Sequence, residues 1–178
     1  MSSSPADLWD AIAEEAAAES PLWSAALLPR LERQLEPVFS RLGESRFALG
    51  LETIYEGYLL HYGRPRLFGP PDDNTALLLG DYLYAHGLVR IADLGEVAAV
   101  SDLAELISLC AQLRALELEG DGAAWSATAA LMGAGALEDA RDSLRAHRDP
   151  RPLEELARAF AGEQAVAAAT AAHALRVR

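Results

Sequence analysis

Few residues of this 178-residue chain have types and spacings suited to chemistry. Asp72 and Asp73 stand side by side in Pro-Pro-Asp-Asp-Asn, ahead of an apolar run. Magnesium needs only one or two protein carboxylates when substrate phosphates complete its shell, so ligand count does not exclude a metal here. Asp and Asn at a helix start are also ordinary N-caps, and capping is the simpler reading. Asp81 is out of place among Leu77, Leu78, Leu79, Tyr82, Leu83 and Tyr84. A carboxylate buried there needs a partner, which an arginine or a tyrosine hydroxyl on a neighbouring helix would supply. His61, His86, His147 and His173 are scattered, with no pair at metal-ligand spacing, and His86 reads as a hydrogen-bonded core residue. Cys110 is the only cysteine, which excludes an intrachain disulfide and a structural zinc–cysteine site. Its neighbours Leu106, Ile107 and Leu109 suggest a buried, inert thiol. The chain has no phosphate loop with lysine, nucleophile elbow, His-Glu-x-x-His or calcium loop, so no catalytic residue, metal ligand or cofactor is assigned.

The elements that would position these residues read as helices. Hydrophobic residues make up 51% of the chain, which argues against disorder, and alanine and leucine dominate. Ser4-Pro5 gives an N-cap and a first helical position, followed by Leu8, Trp9, Ile12 and Ala16 at helical spacing. Ser20-Pro21 repeats the signal. Leu22, Trp23, Leu27, Leu31, Leu35, Val38 and Phe39 then predict a second helix, kinked or divided by Pro29 and Pro37. A third runs from about Ser45 to Tyr62, and Gly63–Pro71 must be a loop. The fourth, from Asp73 or Asn74 to about Gly95, is apolar nearly all round and is expected to be the central, buried helix. A fifth spans Glu96 to Glu119. A sixth spans Ala123 to His147 and is divisible near Gly133-Ala134-Gly135, and a last runs from Leu153 to Leu175. The expected fold is one all-α domain over residues 1–178, a bundle of about seven helices. Gly50 and Gly57 in the third helix, like Gly80 and Gly87 in the fourth, lie seven apart. Each pair shares one face, so the two helices are expected to pack on each other along these flat strips.

Charge narrows the partners. Fifteen basic residues, all arginine, oppose twenty-seven acidic ones, for a net charge of −12. Such a surface repels phosphate backbones and anionic lipid heads, so neither nucleic acid nor a membrane surface is an expected partner. No uncharged apolar stretch is long enough to span a bilayer, and the first residues lack a secretory pattern. A soluble, cytoplasmic protein is expected.

The segment Phe68-Gly69-Pro70-Pro71-Asp72-Asp73-Asn74-Thr75-Ala76-Leu77-Leu78-Leu79-Gly80-Asp81-Tyr82-Leu83-Tyr84-Ala85 resembles trans-isoprenyl diphosphate synthases, the polyprenyl synthetases. In that family a Phe-Gly precedes an apolar run into Gly-Asp-Tyr-Leu, here Gly80, Asp81, Tyr82 and Leu83. Leu51–His61 resembles the family's preceding helix, Ser126–Ala136 its Lys-Thr-Ala-x-Leu-Phe helix, and Leu153–Val166 the helix that runs into its second aspartate motif. The departures fall on the chemistry. His61 is followed by Tyr62-Gly63 where the family has two aspartates, and it lies only twenty positions before Asp81. Ala167-Ala168-Ala169-Thr170 stands at the second aspartate motif, and the Lys-Thr-Ala lysine is absent. Ionising an allylic diphosphate needs metals to neutralise the leaving pyrophosphate, so the isolated chain is expected to be inactive.

Some family members are two-component enzymes with an all-helical small subunit that lacks the aspartate motifs. The resemblance implies such a subunit: a truncated, isoprenoid-synthase-like, non-catalytic partner of a catalytic polyprenyl synthetase, in contact with the prenyl chain. On that reading Tyr55, Tyr58 and Tyr62 with Arg64 and Arg66 would face the partner, since aromatics and arginines are favoured at hot spots. Two alternatives stay open: a helical adaptor unrelated to isoprenoids, and a reduced magnesium-dependent binder of prenyl diphosphates using Asp72, Asp73 and Asp81.

Overall fold

A computed structural model describes residues 5–177. Nine α-helices are present among them: α1 (Pro5–Glu19), α2 (Pro21–Ala26), α3 (Ala48–Tyr62), α4 (Asp73–Ala92), α5 (Val97–Ala115), α6 (Asp121–Leu131), α7 (Glu138–His147), α8 (Arg151–Ala161) and α9 (Glu163–Ala174). The described residues contain no β-strand, only the isolated bridges Leu27–Phe68 and Gly63–Val177. The all-α expectation holds, with two more helices than expected. The Ser4 cap lies outside the described residues. The second start signal behaves as expected, Ser20 Oγ accepting from Leu22 N at 3.1 Å with Pro21 in the first turn.

The central helix is α3, which corrects the assignment of that place to α4. Every residue from Gly50 to Leu60 is buried, Glu52, Thr53 and Glu56 included. Its two glutamates imitate a solvent-facing stripe, because the sequence does not reveal the cation inside the bundle that pairs with them. In α4 only the face with Leu79, Gly80, Leu83, Gly87 and Ile91 is fully covered. That face lies on α3 through the two glycine pairs. A Cβ on Gly57 would stand 2.8 Å from the Gly80 carbonyl oxygen, and one on Gly87 would stand 2.9 Å from that of Gly50.

Two other boundaries moved. The helix expected over Leu22–Phe39 stops at Ala26. Beyond it the chain runs alongside the α3–α4 connector, with Leu28 N donating to Leu67 O at 2.9 Å and Gln34 N to Arg66 O at 3.1 Å. Pro29 and Pro37 lack the N–H a helix would use, and Leu31 is fully exposed, so helical spacing there did not signify a buried face. The helix expected from Leu153 to Leu175 is divided at Gly162, whose φ of 86° and ψ of 147° suit only glycine.

The larger core cluster surrounds Tyr55, Tyr58 and Trp125, with Phe39 stacked on Trp125 at 5.5 Å and Tyr55 edge-on to it at 5.0 Å. A second cluster joins Trp9 and Ile12 of α1 to Leu67, Phe68, Leu79 and Leu83. Each such side chain contributes about 1.5–3 kcal/mol on burial. Cys110 is fully inside, and burial raises its thiol pKa well above the ordinary value, so it stays protonated.

Candidate functional site

The residues with the most chemical capacity gather in two buried polar clusters on α3. In the first, Arg66 of the connector inserts its guanidinium between Glu52 and Glu56, one helical turn apart. Nη1 donates to Glu52 Oε2 at 2.6 Å and Nε to Glu56 Oε2 at 3.0 Å, with all three side chains fully buried. The guanidinium lies over the Trp9 ring at 4.5 Å and the Tyr55 ring at 4.9 Å. Backbone N–H groups serve the remaining carboxylate oxygens: Val38 (3.2 Å) and Ser40 (3.1 Å) donate to Glu52, and Arg66 and Leu67 (each 2.7 Å) to Glu56. Two surface segments are thereby tied to the central helix.

The second cluster joins the ends of four helices. Asp121, first residue of α6, accepts from the Tyr58 hydroxyl of α3 and from Arg114 Nη2 of α5. His173 of α9 approaches with Nε2 3.3 Å from Asp121 Oδ2, without hydrogen-bond alignment, while its Nδ1 meets the Tyr55 hydroxyl at 3.0 Å. Burial would raise the Asp121 pKa, but the His173 and Tyr58 contacts and the Arg114 charge outweigh it and hold the carboxyl well below its usual range. Burial, joined by Asp121, pushes the Tyr58 phenol far up, which keeps it a donor. An aspartate–histidine–tyrosine array of this kind could relay a proton. Here Tyr55 and His173 are almost wholly enclosed, and the array fastens α3, α5, α6 and α9 together.

Tyr55, Tyr58 and Arg66 therefore lie inside the bundle, which corrects the expectation that they face a partner: their apolar and ionic contacts are made within the chain. Tyr62 is half-buried against Tyr58, ring centroids 5.2 Å apart. Arg64 is exposed, but its side chain donates to Leu175 O and its backbone N to Arg176 O at 2.8 Å. Sequence reading did not single out Glu52, Glu56, Arg114 or Asp121. The available signal was the four-residue spacing of two glutamates in an otherwise apolar helix, with the arginines of Arg64-Pro65-Arg66 eight and ten residues beyond the second.

The Gly80-Asp81-Tyr82-Leu83 segment straddles α4. Gly80 abuts His61, Leu83 is in the core, and Tyr82 stacks on His86 at 5.3 Å. Asp81 is not buried, contrary to expectation. Its side chain is 65% exposed, with His61 Nε2 3.3 Å away, because the leucines around it occupy both faces of the helix. Burial holds the His61 pKa below its ordinary value despite Asp81, so the ring is neutral at pH 7. His86 lies at the α1–α4 seam, where its Nε2 meets Glu15 at 2.6 Å beside Arg90, and is not a core residue. Asp72 is the α4 N-cap, accepting from Thr75 N at 2.8 Å and Thr75 Oγ1 at 3.1 Å.

A cleft of about 670 Å³ opens between the end of α3, the start of α4 and the end of α5, lined in part by His61, Tyr62, Asp73 and Arg114. Among the described residues no group of three histidine, cysteine, aspartate or glutamate side chains is placed to hold a metal. No described helix is long and apolar enough to cross a membrane. No protein-family model, curated protein or solved structure matches the chain.

Proposed function

We propose that the chain is a non-catalytic subunit of a heteromeric polyprenyl diphosphate synthase, a helical body that binds a catalytic synthetase subunit and influences product length. The observation that carries this reading is the state of the α3–α4 pair. The Gly-Asp-Tyr-Leu helix packs backbone to backbone on α3, while Glu52 and Glu56 are engaged by Arg66 and Asp72 by Thr75, and the exposed Asp73 and Asp81 belong to no described group of three metal-ligating side chains. Carboxylates held in this way do not offer the free oxygen cluster that would bind metals around a leaving pyrophosphate. The frame suits association better than ionisation.

The test is affinity purification of the tagged chain from its native cells, followed by prenyl-transfer assays with magnesium, isopentenyl diphosphate and an allylic diphosphate. A stoichiometric polyprenyl synthetase should accompany the chain. The synthetase with the chain should give longer or more product than the synthetase alone, and the chain alone should give none. A stoichiometric but unrelated partner would instead identify a helical adaptor. Magnesium-dependent binding of an allylic diphosphate to the isolated chain, measured by calorimetry, would replace the proposal with a prenyl-diphosphate binder.

A further inference from the structure

Among the described residues the outer face of α4 is apolar along most of its length and largely uncovered, only Leu88 at its edge reaching the larger core. Leu77, Leu78 and Val89 are 52%, 55% and 55% exposed. On a helical projection Leu77, Leu78, Asp81, Ala85, Leu88, Val89 and Ala92 fall within an arc of about 120° and span about 22 Å of the axis. Exposed Leu94 and Val97 stand just beyond, at the α4–α5 turn. The opposite face is fixed on α3, so this stripe is presented on a rigid element and gains nothing by folding inward. One charge interrupts it: Asp81, about a quarter of the way along, with the imidazole of His61 beside it. Contiguous exposed apolar surface with a polar rim is how interaction sites are built.

We infer that this face docks an amphipathic helix of another protein, one that carries a single arginine or lysine within its apolar stripe, opposite Asp81. Helix-on-helix docking through anchors at helical spacing suits a stripe of this width and length. Charge selects the occupant. A second copy would bring another net −12 and another Asp81 to the same stripe, whereas a cationic side chain would neutralise a carboxylate that becomes desolvated on docking. The inference rests on the subunit reading only for the name of the partner.

A benzophenone side chain placed at position 78 or 89 of the full chain, or at the exposed α9 positions 164 or 171 as controls, tests it by photocrosslinking in native cells. Adducts to a different protein should form from 78 and 89 and not from 164 and 171. They should map to a helical segment bearing an arginine or lysine, and fall at least tenfold when Asp81→Lys is added. Melting temperatures of all variants should match the parent, since every altered side chain is exposed. Adducts to a second copy, equal yields from both faces, no adduct from 78 or 89, or indifference to Asp81→Lys would each overturn the inference. A position-specific adduct to a protein that is not a prenyl diphosphate synthase would uphold the surface and end the subunit reading. A synthetase captured through other positions would do the reverse.

Discussion

Gly57 faces the main-chain carbonyl of Gly80 so closely that a methyl group on it would stand 2.8 Å from the oxygen. The same holds two turns away, where a Cβ on Gly87 would meet Ile54 Cγ1 at 2.4 Å and Gly50 O at 2.9 Å. Backbone oxygen cannot retreat as a flexible side chain would, so the interhelical distance is set by the missing side chains.

Gly87→Leu should therefore cost about 3 kcal/mol or more through overpacking, far beyond the roughly 1 kcal/mol that glycine itself costs in a helix. For a chain of this size that lowers the melting temperature by about 6–12 °C. Ala104→Leu on the exposed side of α5 should leave it unchanged. Calorimetry or circular dichroism melting decides, and equal melting temperatures for the two variants would refute the packing account.

Arg66→Met should cost about 3–5 kcal/mol, because it leaves two carboxylates inside the protein without their cation. Adding Glu52→Gln and Glu56→Gln should recover part of that loss. Loss and recovery are read from guanidinium unfolding midpoints. Limited proteolysis should show Arg66→Met cut first between residues 27 and 40, which hang on Glu52 through Val38 N and Ser40 N.

The depressed Asp121 carboxyl implies a defined pH response. Its folded pKa lies below the unfolded value, so its contribution to stability is fully present above the ordinary carboxylate range and fades as pH falls through that range towards the folded value. Asp121→Asn should destabilise the protein at pH 7 by about 1–3 kcal/mol, since Tyr58 and Arg114 lose a charged acceptor. The gap between parent and variant should narrow steadily from pH 5 down to pH 2. Unfolding midpoints measured across that range would show it, and a constant gap would place the effect elsewhere.

Gly162→Ala should cost about 1–3 kcal/mol, because a Cβ is strained at φ 86° and ψ 147° although nothing crowds the position. Nuclear magnetic resonance or hydrogen exchange should place the disturbance at the α8–α9 junction.

Most of the helical framework was legible because it rests on local signals. Ser20-Pro21, Asp72 with its Pro-Pro neighbours, and the glycine pairs at seven-residue spacing each act through nearby backbone or through periodicity. What failed depended on long-range partners. Glu52 and Glu56 look solvent-facing until Arg66 is folded back between them. The outer leucines of α4 look buried until α3 takes the central place. Gly162 looked tolerable inside a helix, since one glycine there costs only about 1 kcal/mol and does not announce a break. Of the residues expected to face a partner, Tyr55, Tyr58 and Arg66 went inward for the same reason: aromatic and guanidinium groups suit an interface and a core equally well.

The pairing of Tyr55 with His173 has a temporal consequence. The two residues are 118 positions apart, and Arg64 likewise awaits Leu175 at 111. During synthesis at ~5–20 residues per second the most hydrophobic helix of the chain must remain without its last cover for roughly 6–24 seconds. Over that interval α3 is exposed to whatever chaperone or neighbouring nascent chain binds apolar helices. The yield of folded protein should therefore respond more to translation speed and chaperone supply than the final packing of the bundle would suggest.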